Sequence, residues 1–157
     1  MDTQNKNLSV LSGCLCVLLG AIVIYGWHTH SLSLIQIHSS FAPMQYNTAL
    51  GFLFCGLGLI CINFERLSLG RFFGGTAALI GMITLAQYIW GINTGLDELL
   101  MDGYVNVKTS HPGRMAPNTA LCFLLSGLAL SFSTAIHKKS RLITIVKPLE
   151  TLGAIII

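Results

Sequence analysis

Four long runs of apolar residues divide this chain and constrain its fold more than any other feature. The runs cover residues 10–27, 47–64, 72–92 and 118–136. A helix needs about 20 such residues to cross the hydrocarbon core of a bilayer. Only 10% of the 157 residues are charged, against about 25% in soluble domains. The sequence therefore predicts an all-α integral membrane protein with four full spans.

Two of these runs begin with the same phrase. Met44 is followed three residues later by Asn-Thr-Ala-Leu, and Met115 is followed by the same residues at the same distance. An aromatic pair ends the preceding helix in each case: Tyr25 and Trp27, and Tyr88 and Trp90. We therefore expect repeated helical hairpins, with repeat one over 9–64 and repeat two over 72–136.

A further apolar run begins near the end of the sequence, at residues 149–157. Nine residues are too few to cross a bilayer, which takes about 20. We expect this run to start a fifth span, in a third hairpin, and the natural chain to continue into a cytoplasmic output module.

The basic residues predict the orientation of the helices. One side of the predicted membrane carries Lys6, Arg66, Arg71, Lys138, Lys139 and Arg141, and the other carries Lys108 and Arg114. Cytoplasmic loops have an excess of Lys and Arg. The N-terminus is therefore expected in the cytoplasm, with the linkers 28–45 and 93–117 on the outer face of a bacterial inner membrane.

The second outer linker contains a short amphipathic pattern. Its apolar residues Leu96, Leu99, Leu100 and Met101 are interleaved with the acids Asp97, Glu98 and Asp102. This pattern predicts a short helix that lies on the membrane surface with the acids on its wet face.

Polar residues near the starts of the second and fourth predicted spans form a candidate ligand site. Asn is a preferred N-cap, so Asn47 and Asn118 are expected to cap these helices. Both helix N-termini would face outward, and Arg114 adds a guanidinium, with Gln45 and His111 nearby. This set predicts a seat for a small anion such as a carboxylate. The alternative is that the asparagines only cap, while Arg114 and His111 lie among lipid headgroups.

Three histidines in the first outer linker suggest a different ligand set. His28, His30 and His38 lie near Met44 in the sequence, and Met115 is the equivalent of Met44 in the second copy of the repeated phrase. His and Met are usual ligands of haem iron, and imidazoles also bind Cu and Zn. A b-type haem at the outer leaflet is therefore an alternative hypothesis. The simpler interpretation is that these histidines are polar residues of a water-exposed linker and bind no ligand.

Other residues argue against several classes of function. Cys14, Cys16, Cys55, Cys61 and Cys122 all lie in apolar runs and are interpreted as small hydrophobes. The net charge of +3 is too small to favour nucleic acid. No charged residue lies at mid-depth in a span, as transporters usually require, and Gln87 is expected to hydrogen-bond between helices. The sequence contains no catalytic constellation, so this part of the protein is expected to be non-catalytic.

The second copy of the repeated phrase resembles a known group of proteins. Residues 111–125 are His-Pro-Gly-Arg-Met-Ala-Pro-Asn-Thr-Ala-Leu-Cys-Phe-Leu-Leu, preceded by Gly-Leu-Asp-Glu-Leu-Leu at 95–100. This stretch resembles the multi-span N-terminal sensor regions of bacterial membrane signalling proteins, which end in diguanylate cyclase (GGDEF) or histidine kinase modules. The first copy departs from the pattern, because Gln45 and Tyr46 precede its Asn and no Arg stands beside Met44.

The resemblance implies a signalling function. We expect residues 1–157 to form one transmembrane sensory domain that contacts membrane lipid and associates as a homodimer. Such a domain would couple a small ligand at the periplasmic face to a cytoplasmic output, which we expect to be a diguanylate cyclase that makes cyclic di-GMP. The input domain of a sensor histidine kinase and a haem-based redox or gas sensor are the alternatives.

Overall fold

The computed structural model describes residues 3–38, 40–95, 97–105, 111 and 113–136. Within these residues the fold consists of five α-helices and contains no strand. The helices are α1 (Thr3–His28), α2 (Leu32–Ile35), α3 (Tyr46–Asn63), α4 (Leu67–Trp90) and α5 (Pro117–Ile136). The all-α prediction is confirmed, and the apolar pattern did not predict the short α2. The basic cluster after α5 and the run at 149–157 lie outside the described residues.

Three helices are long and apolar enough to cross a membrane: Gln4–His28, Tyr46–Asn63 and Leu67–Trp90. Many of their large apolar side chains face outward, and Leu15 and Phe72 are 59% and 64% exposed. Water-soluble monomers rarely present such a surface, so these helices indicate a membrane protein. Helix α5 is apolar over Pro117–Ser133, and its crossing of the membrane stays a prediction.

Helix α3 lies at the centre of the bundle. It packs against α1, α4 and α5, while α4 packs closely along α5 and α2 folds back onto α1. Within the described parts of the helices, α1 does not pack against α5. A gap therefore remains between α1 and α5, both of which contact α3.

Glycines allow the helices of each pair to approach closely. A Cβ atom on Gly20 of α1 would lie 2.6 Å from the carbonyl oxygen of Ala49 in α3. A Cβ atom on Gly81 of α4 would collide with the carbonyl oxygen of Ala120 in α5. Ala49 and Ala120 are the alanines of the two Asn-Thr-Ala-Leu copies, so equivalent residues make the close contact in both pairs.

Two partly buried hydrogen bonds join the ends of α1 and α4 to the two copies of the repeated phrase. Trp27 Nε1 donates to the carbonyl oxygen of Met44 at 2.9 Å, and Tyr88 Oη donates to that of Met115 at 3.2 Å. The sequence pattern matched Trp27 with Trp90, but Trp90 is 69% exposed. The structural counterpart of Trp27 is therefore Tyr88.

The expected asparagine caps are wrong. Helix α3 begins at Tyr46, and its N-cap is Gln45, whose side chain makes no capping hydrogen bond. Helix α5 begins at Pro117, because the fixed φ of Pro suits the first helical position and its missing N–H is not needed there. Asn47 and Asn118 are thus the second residues of their helices.

The predicted amphipathic helix in the second linker is also wrong. Residues 97–105 form turns and bends without a helix. The Glu98 carboxylate accepts from the Gly103 amide at 3.2 Å and closes a turn, while Met101 and Val105 pack against the apolar cluster around Trp27. The linker therefore folds over the end of the α1–α3 pair.

The opposite end of the bundle carries basic residues. Lys6 Nζ lies 5.9 Å from the centre of the Phe64 ring, which brings the start of α1 to the end of α3. The α3–α4 turn follows at once, with Glu65 in the left-handed conformation at φ 61° and Arg66 exposed. Lys6 and Arg66 thus lie at the same end, as the orientation argument requires.

Candidate functional site

A cleft of 620 Å³ lies at the end of the bundle where α3 and α5 begin. It occupies the gap between α1 and α5. Its lining residues come from α1 (Leu19 and Val23), the linker 33–45, the first turns of α3 (Thr48 and Phe52), α4 (Tyr88) and the segment 114–119. Most of the lining side chains are apolar, and a volume of this size suits one small organic molecule.

Gln45 is the polar lining residue with the least satisfied side chain. It is 5% exposed, and its Nε2 donates to the Pro43 carbonyl oxygen over a long 3.4 Å. Its Oε1 is shielded from water and has no hydrogen-bond partner. A buried acceptor without a donor destabilises the fold by about 1–3 kcal/mol, so a donor in the cleft would relieve this cost.

Arg114 lines the same cleft and is already paired. Its Nε donates to Asp97 Oδ2 at 2.7 Å, and the two side chains are 2% and 6% exposed. Its Nη2 donates to Asn93 Oδ1 at 3.2 Å, and its guanidinium carbon lies 5.5 Å from the centre of the Tyr88 ring. The Asp97 carboxylate therefore neutralises the guanidinium before any ligand binds.

Gly113 makes this ion pair possible. Its φ is +69°, a conformation that L side chains rarely adopt, and an added Cβ would lie 2.8 Å from the Asp97 carbonyl oxygen. The chain must pass this close to Asp97 to place Arg114 beside the carboxylate. The Gly113-Arg114 step, which precedes only the second copy of the repeated phrase, thus has a structural explanation.

Asp97 also holds the start of α3. Asn47 Nδ2 donates to the carbonyl oxygen of Asp97 at 3.3 Å. Asp97 therefore binds two residues. Its side chain binds Arg114, just before α5, and its main chain binds Asn47, inside α3. A displacement of Asp97 would be transmitted to the first turns of both helices.

The predicted anion-binding residues are only partly brought together. Gln45 and Arg114 line the cleft, and Asn47 is bonded to the linker. Asn118 is exposed, and His111 is exposed with its ring edge-on to Tyr88 at 6.2 Å. An anion at Arg114 would have to compete with Asp97, so the anion seat remains a prediction that the ion pair does not favour.

The three histidines have separate surroundings. His28 Nε2 lies 3.3 Å from the Tyr46 hydroxyl, and His38 Nδ1 accepts from the Ser40 N–H at 3.2 Å. His30 lies two residues beyond the end of α1 and has φ 54°. In the described part of the chain, no three His, Cys, Asp or Glu residues are grouped so as to hold a metal ion. The three histidines do not lie in one common site, and haem or metal binding by them stays a prediction.

Tyr104 connects the second linker to the end of α1. Its ring packs edge-on against Trp27 and stacks on His30, both with ring centres 4.7 Å apart. Partial burial raises the pKa of the Tyr104 hydroxyl above its ordinary value, so this side chain is neutral at physiological pH. The contact holds the linker against the α1–α3 pair.

Two other sequence-based interpretations can be compared with the structure. The Gln87 side chain is buried, but its Nε2 donates to Thr94 Oγ1, just beyond the end of α4, and not to another helix. The prediction that Gln87 hydrogen-bonds to another helix is therefore wrong for its Nε2 atom. All five cysteines lie in helices as free thiols, in keeping with their interpretation as small hydrophobes.

Sequence reasoning missed the most connected residue of the site. Asp97 was assigned to a wet helix face, but it is 5% exposed and bonded to residues on both sides of the cleft. A usable signal was Arg114, directly before the second copy of the repeated phrase, since a buried guanidinium requires a carboxylate.

Comparison with known proteins yields no relative of this chain. No protein-family model, curated protein or solved structure matches it. A function must therefore be argued from the residues and the geometry above.

Proposed function

We propose that this chain is the membrane-embedded input domain of a bacterial signalling protein, and that it binds a small ligand in the cleft between α1 and α5. In this proposal α5 is the fourth span, the N-terminus is cytoplasmic, and the cleft opens at the periplasmic end of a bundle in the inner membrane. The domain works as a homodimer, and its output is a diguanylate cyclase, as the resemblance of residues 111–125 implies.

The observation that carries the proposal is a cleft whose polar end is built from both halves of the chain. Gln45 comes from the first half and Arg114 from the second, and both line the 620 Å³ volume. The Oε1 atom of Gln45 has no partner, although buried polar atoms are normally hydrogen-bonded. Of the unpartnered buried acceptors, Gln45 Oε1 belongs to a residue that lines the cleft, so a ligand with a hydrogen-bond donor could satisfy it.

Equivalent contacts in the two halves support a duplicated hairpin with four spans. The pairs Gly20–Ala49 and Gly81–Ala120 make the same backbone contact, and Phe52 packs edge-on against its repeat counterpart Phe123 with ring centres 5.3 Å apart. Two copies of one hairpin run in the same direction, so a single ligand site can form where their equivalent ends meet.

The proposed mechanism uses Asp97 as the link between ligand and helices. A ligand shifts a two-state equilibrium only if it binds the two states unequally. In the proposal, occupancy of the cleft changes the position of the Arg114–Asp97 pair and thereby the separation of the first turns of α3 and α5. The two helices carry this change to the cytoplasmic end.

The experiment fills the cleft and measures the output. Ala116 is exposed at the rim of the cleft, so Ala116→Trp is expected to occupy part of the volume without disturbing the core. Ala21 of α1 is exposed and does not line the cleft, which makes Ala21→Trp the matched control. Cyclic di-GMP is measured in cells that produce the natural protein.

Ala116→Trp is expected to change cyclic di-GMP by about threefold or more, because a shift of well under 1.4 kcal/mol between two states suffices for that. Ala21→Trp should leave it at the wild-type level. If both variants match the wild type, the cleft does not control a cyclase output. A phosphotransfer measurement on the same variants then tests the histidine kinase alternative.

A further inference from the structure

We infer that the ligand of the cleft is a single-chain amphiphile from the lipid phase, with a hydrogen-bond-donating head such as a hydroxyl at Gln45 and an apolar tail between α1 and α5. This inference rests on the proposed function and names the chemical class of its ligand.

The Gln45 amide and the Arg114 guanidinium lie at one end of the cleft, and apolar side chains line both that end and the deeper part. Gln45 and Arg114 lie where α3 and α5 begin, whereas Leu19 of α1 and Phe52 of α3 lie further along the helices. Leu19 precedes the end of α1 by nine residues, or roughly 13 Å at the rise of an α-helix, and Phe52 follows the start of α3 by six, or roughly 9 Å. The cleft therefore matches a molecule with one polar and one apolar end.

In the proposal the ligand enters the cleft from the side of the bundle. Helices α1 and α5 both pack on α3 but not on each other, and the cleft lies between them. The proposal places the apolar part of this opening among the acyl chains, since α1 and α3 are long and apolar enough to span a bilayer. A lipid-phase ligand can reach the site without crossing water.

The polar end of the cleft offers an acceptor and no net charge. Gln45 Oε1 lacks a donor, and its amide is held only by the 3.4 Å bond to Pro43. The Arg114 charge is matched by Asp97 at 2.7 Å. A neutral donor such as a hydroxyl fits this arrangement better than a carboxylate, which Asp97 would repel.

The volume limits the size of the ligand. A cavity of 620 Å³ falls in the range that encloses one drug-sized molecule. This size favours an amphiphile with one tail over a two-chain phospholipid.

The test uses a monoacylglycerol that carries a photoreactive diazirine in its acyl chain, applied to the purified natural protein in nanodiscs. Mass spectrometry should map the label to cleft residues such as Leu19, Val23 and Phe52. Unlabelled monoacylglycerol should compete about fivefold better than its di-O-methyl ether, which cannot donate a hydrogen bond worth about 1 kcal/mol.

Two variants identify the groups involved. Gln45→Leu should remain folded and labelled but lose the fivefold preference for the hydroxyl head, because the acceptor is gone. Ala116→Trp should lower cleft labelling severalfold, whereas Ala21→Trp should not. Folding of each variant is checked by its thermal unfolding in the same nanodiscs.

Three results would overturn the inference. First, the ether could compete as well as the monoacylglycerol. Second, the label could fall only on lipid-facing residues such as Leu15, which is the result expected if a second copy of this chain filled the cleft. Succinate could displace the probe and stabilise the wild type, which refutes the amphiphile but leaves a ligand-binding cleft intact. If Ala116→Trp changes neither the labelling by the photoreactive probe nor the effect of succinate, and cyclic di-GMP also stays at the wild-type level, the proposed function fails as well.

Discussion

Arg114 and Asp97 form a buried ion pair of 2.7 Å although 17 residues separate them in sequence. The pair joins the segment before α5 to a linker residue that also binds Asn47 in α3. Through this pair, a change at the cleft can reach both helices.

Removing one partner of this pair should destabilise the protein strongly. Asp97→Leu or Arg114→Met leaves an uncompensated buried charge, which costs about 3–5 kcal/mol. The double variant Asp97→Leu/Arg114→Met should lose much less than the sum of the two single losses. Unfolding in mixed micelles measures all three, and strictly additive losses would show that the two side chains do not interact.

Gly113→Ala should destabilise the protein more than Gly95→Ala does. Both glycines have positive φ, at +69° and +71°, so both substitutions carry the left-handed penalty of about 1–2 kcal/mol. Only at Gly113 does the new Cβ also meet the Asp97 backbone, whereas at Gly95 it meets nothing within 4 Å. Equal thermal unfolding temperatures for the two variants would contradict the close approach.

Gly81→Ala and Gly75→Ala should have opposite effects on the stability of α4. Ala favours a helix over Gly by up to about 1 kcal/mol, and a Cβ on Gly75 meets only Ser131 Oγ, at 3.8 Å. At Gly81 the same methyl group collides with the Ala120 carbonyl oxygen. Gly75→Ala should therefore raise the unfolding temperature, and Gly81→Ala should lower it. Gly20→Ala should behave like Gly81→Ala, since the two positions are equivalent.

Trp27→Phe and Tyr88→Phe should each remove one hydrogen bond to a methionine carbonyl. The expected loss for that bond is about 1 kcal/mol, and Trp27→Phe should cost more because it also reduces the packing of a side chain that is 1% exposed. Tyr25, which is 64% exposed, provides the control, and Tyr25→Phe should leave the unfolding midpoint unchanged. A loss at Tyr25 as large as that at Tyr88 would show that tyrosine hydroxyls contribute for another reason.

The sequence was sufficient for the helices and insufficient for the site. The apolar runs locate α1, α3, α4 and α5, because burial of the backbone polar groups in lipid leaves few alternatives. The starts of α3 and α5 each lie one residue before the predicted position, since the extended Gln45 and Pro117 set them, not the asparagines.

The site depends on contacts between residues that are distant in sequence. The mixture of apolar and acidic residues around Asp97 predicts a surface helix. The position of Asp97 is instead set by its ion pair with the buried Arg114 guanidinium and by the positive φ of Gly113. The unpartnered Oε1 of Gln45 follows from how α1, α3 and the linker pack together, and no local pattern encodes it. Gln45 and Arg114 were nevertheless selected from the sequence, and both line the cleft.

The central claim is that the cleft lies at the periplasmic end of a membrane-embedded bundle, and accessibility of single cysteines tests it most directly. Starting from a variant without the five native cysteines, Ser40→Cys and Leu99→Cys place thiols near the cleft, and Glu65→Cys places one at the opposite end; all three positions are exposed. In intact spheroplasts, a membrane-impermeant maleimide should label positions 40 and 99 at once and position 65 only after permeabilisation. Labelling of position 65 from outside, or of 40 and 99 on different sides of the membrane, would contradict the account.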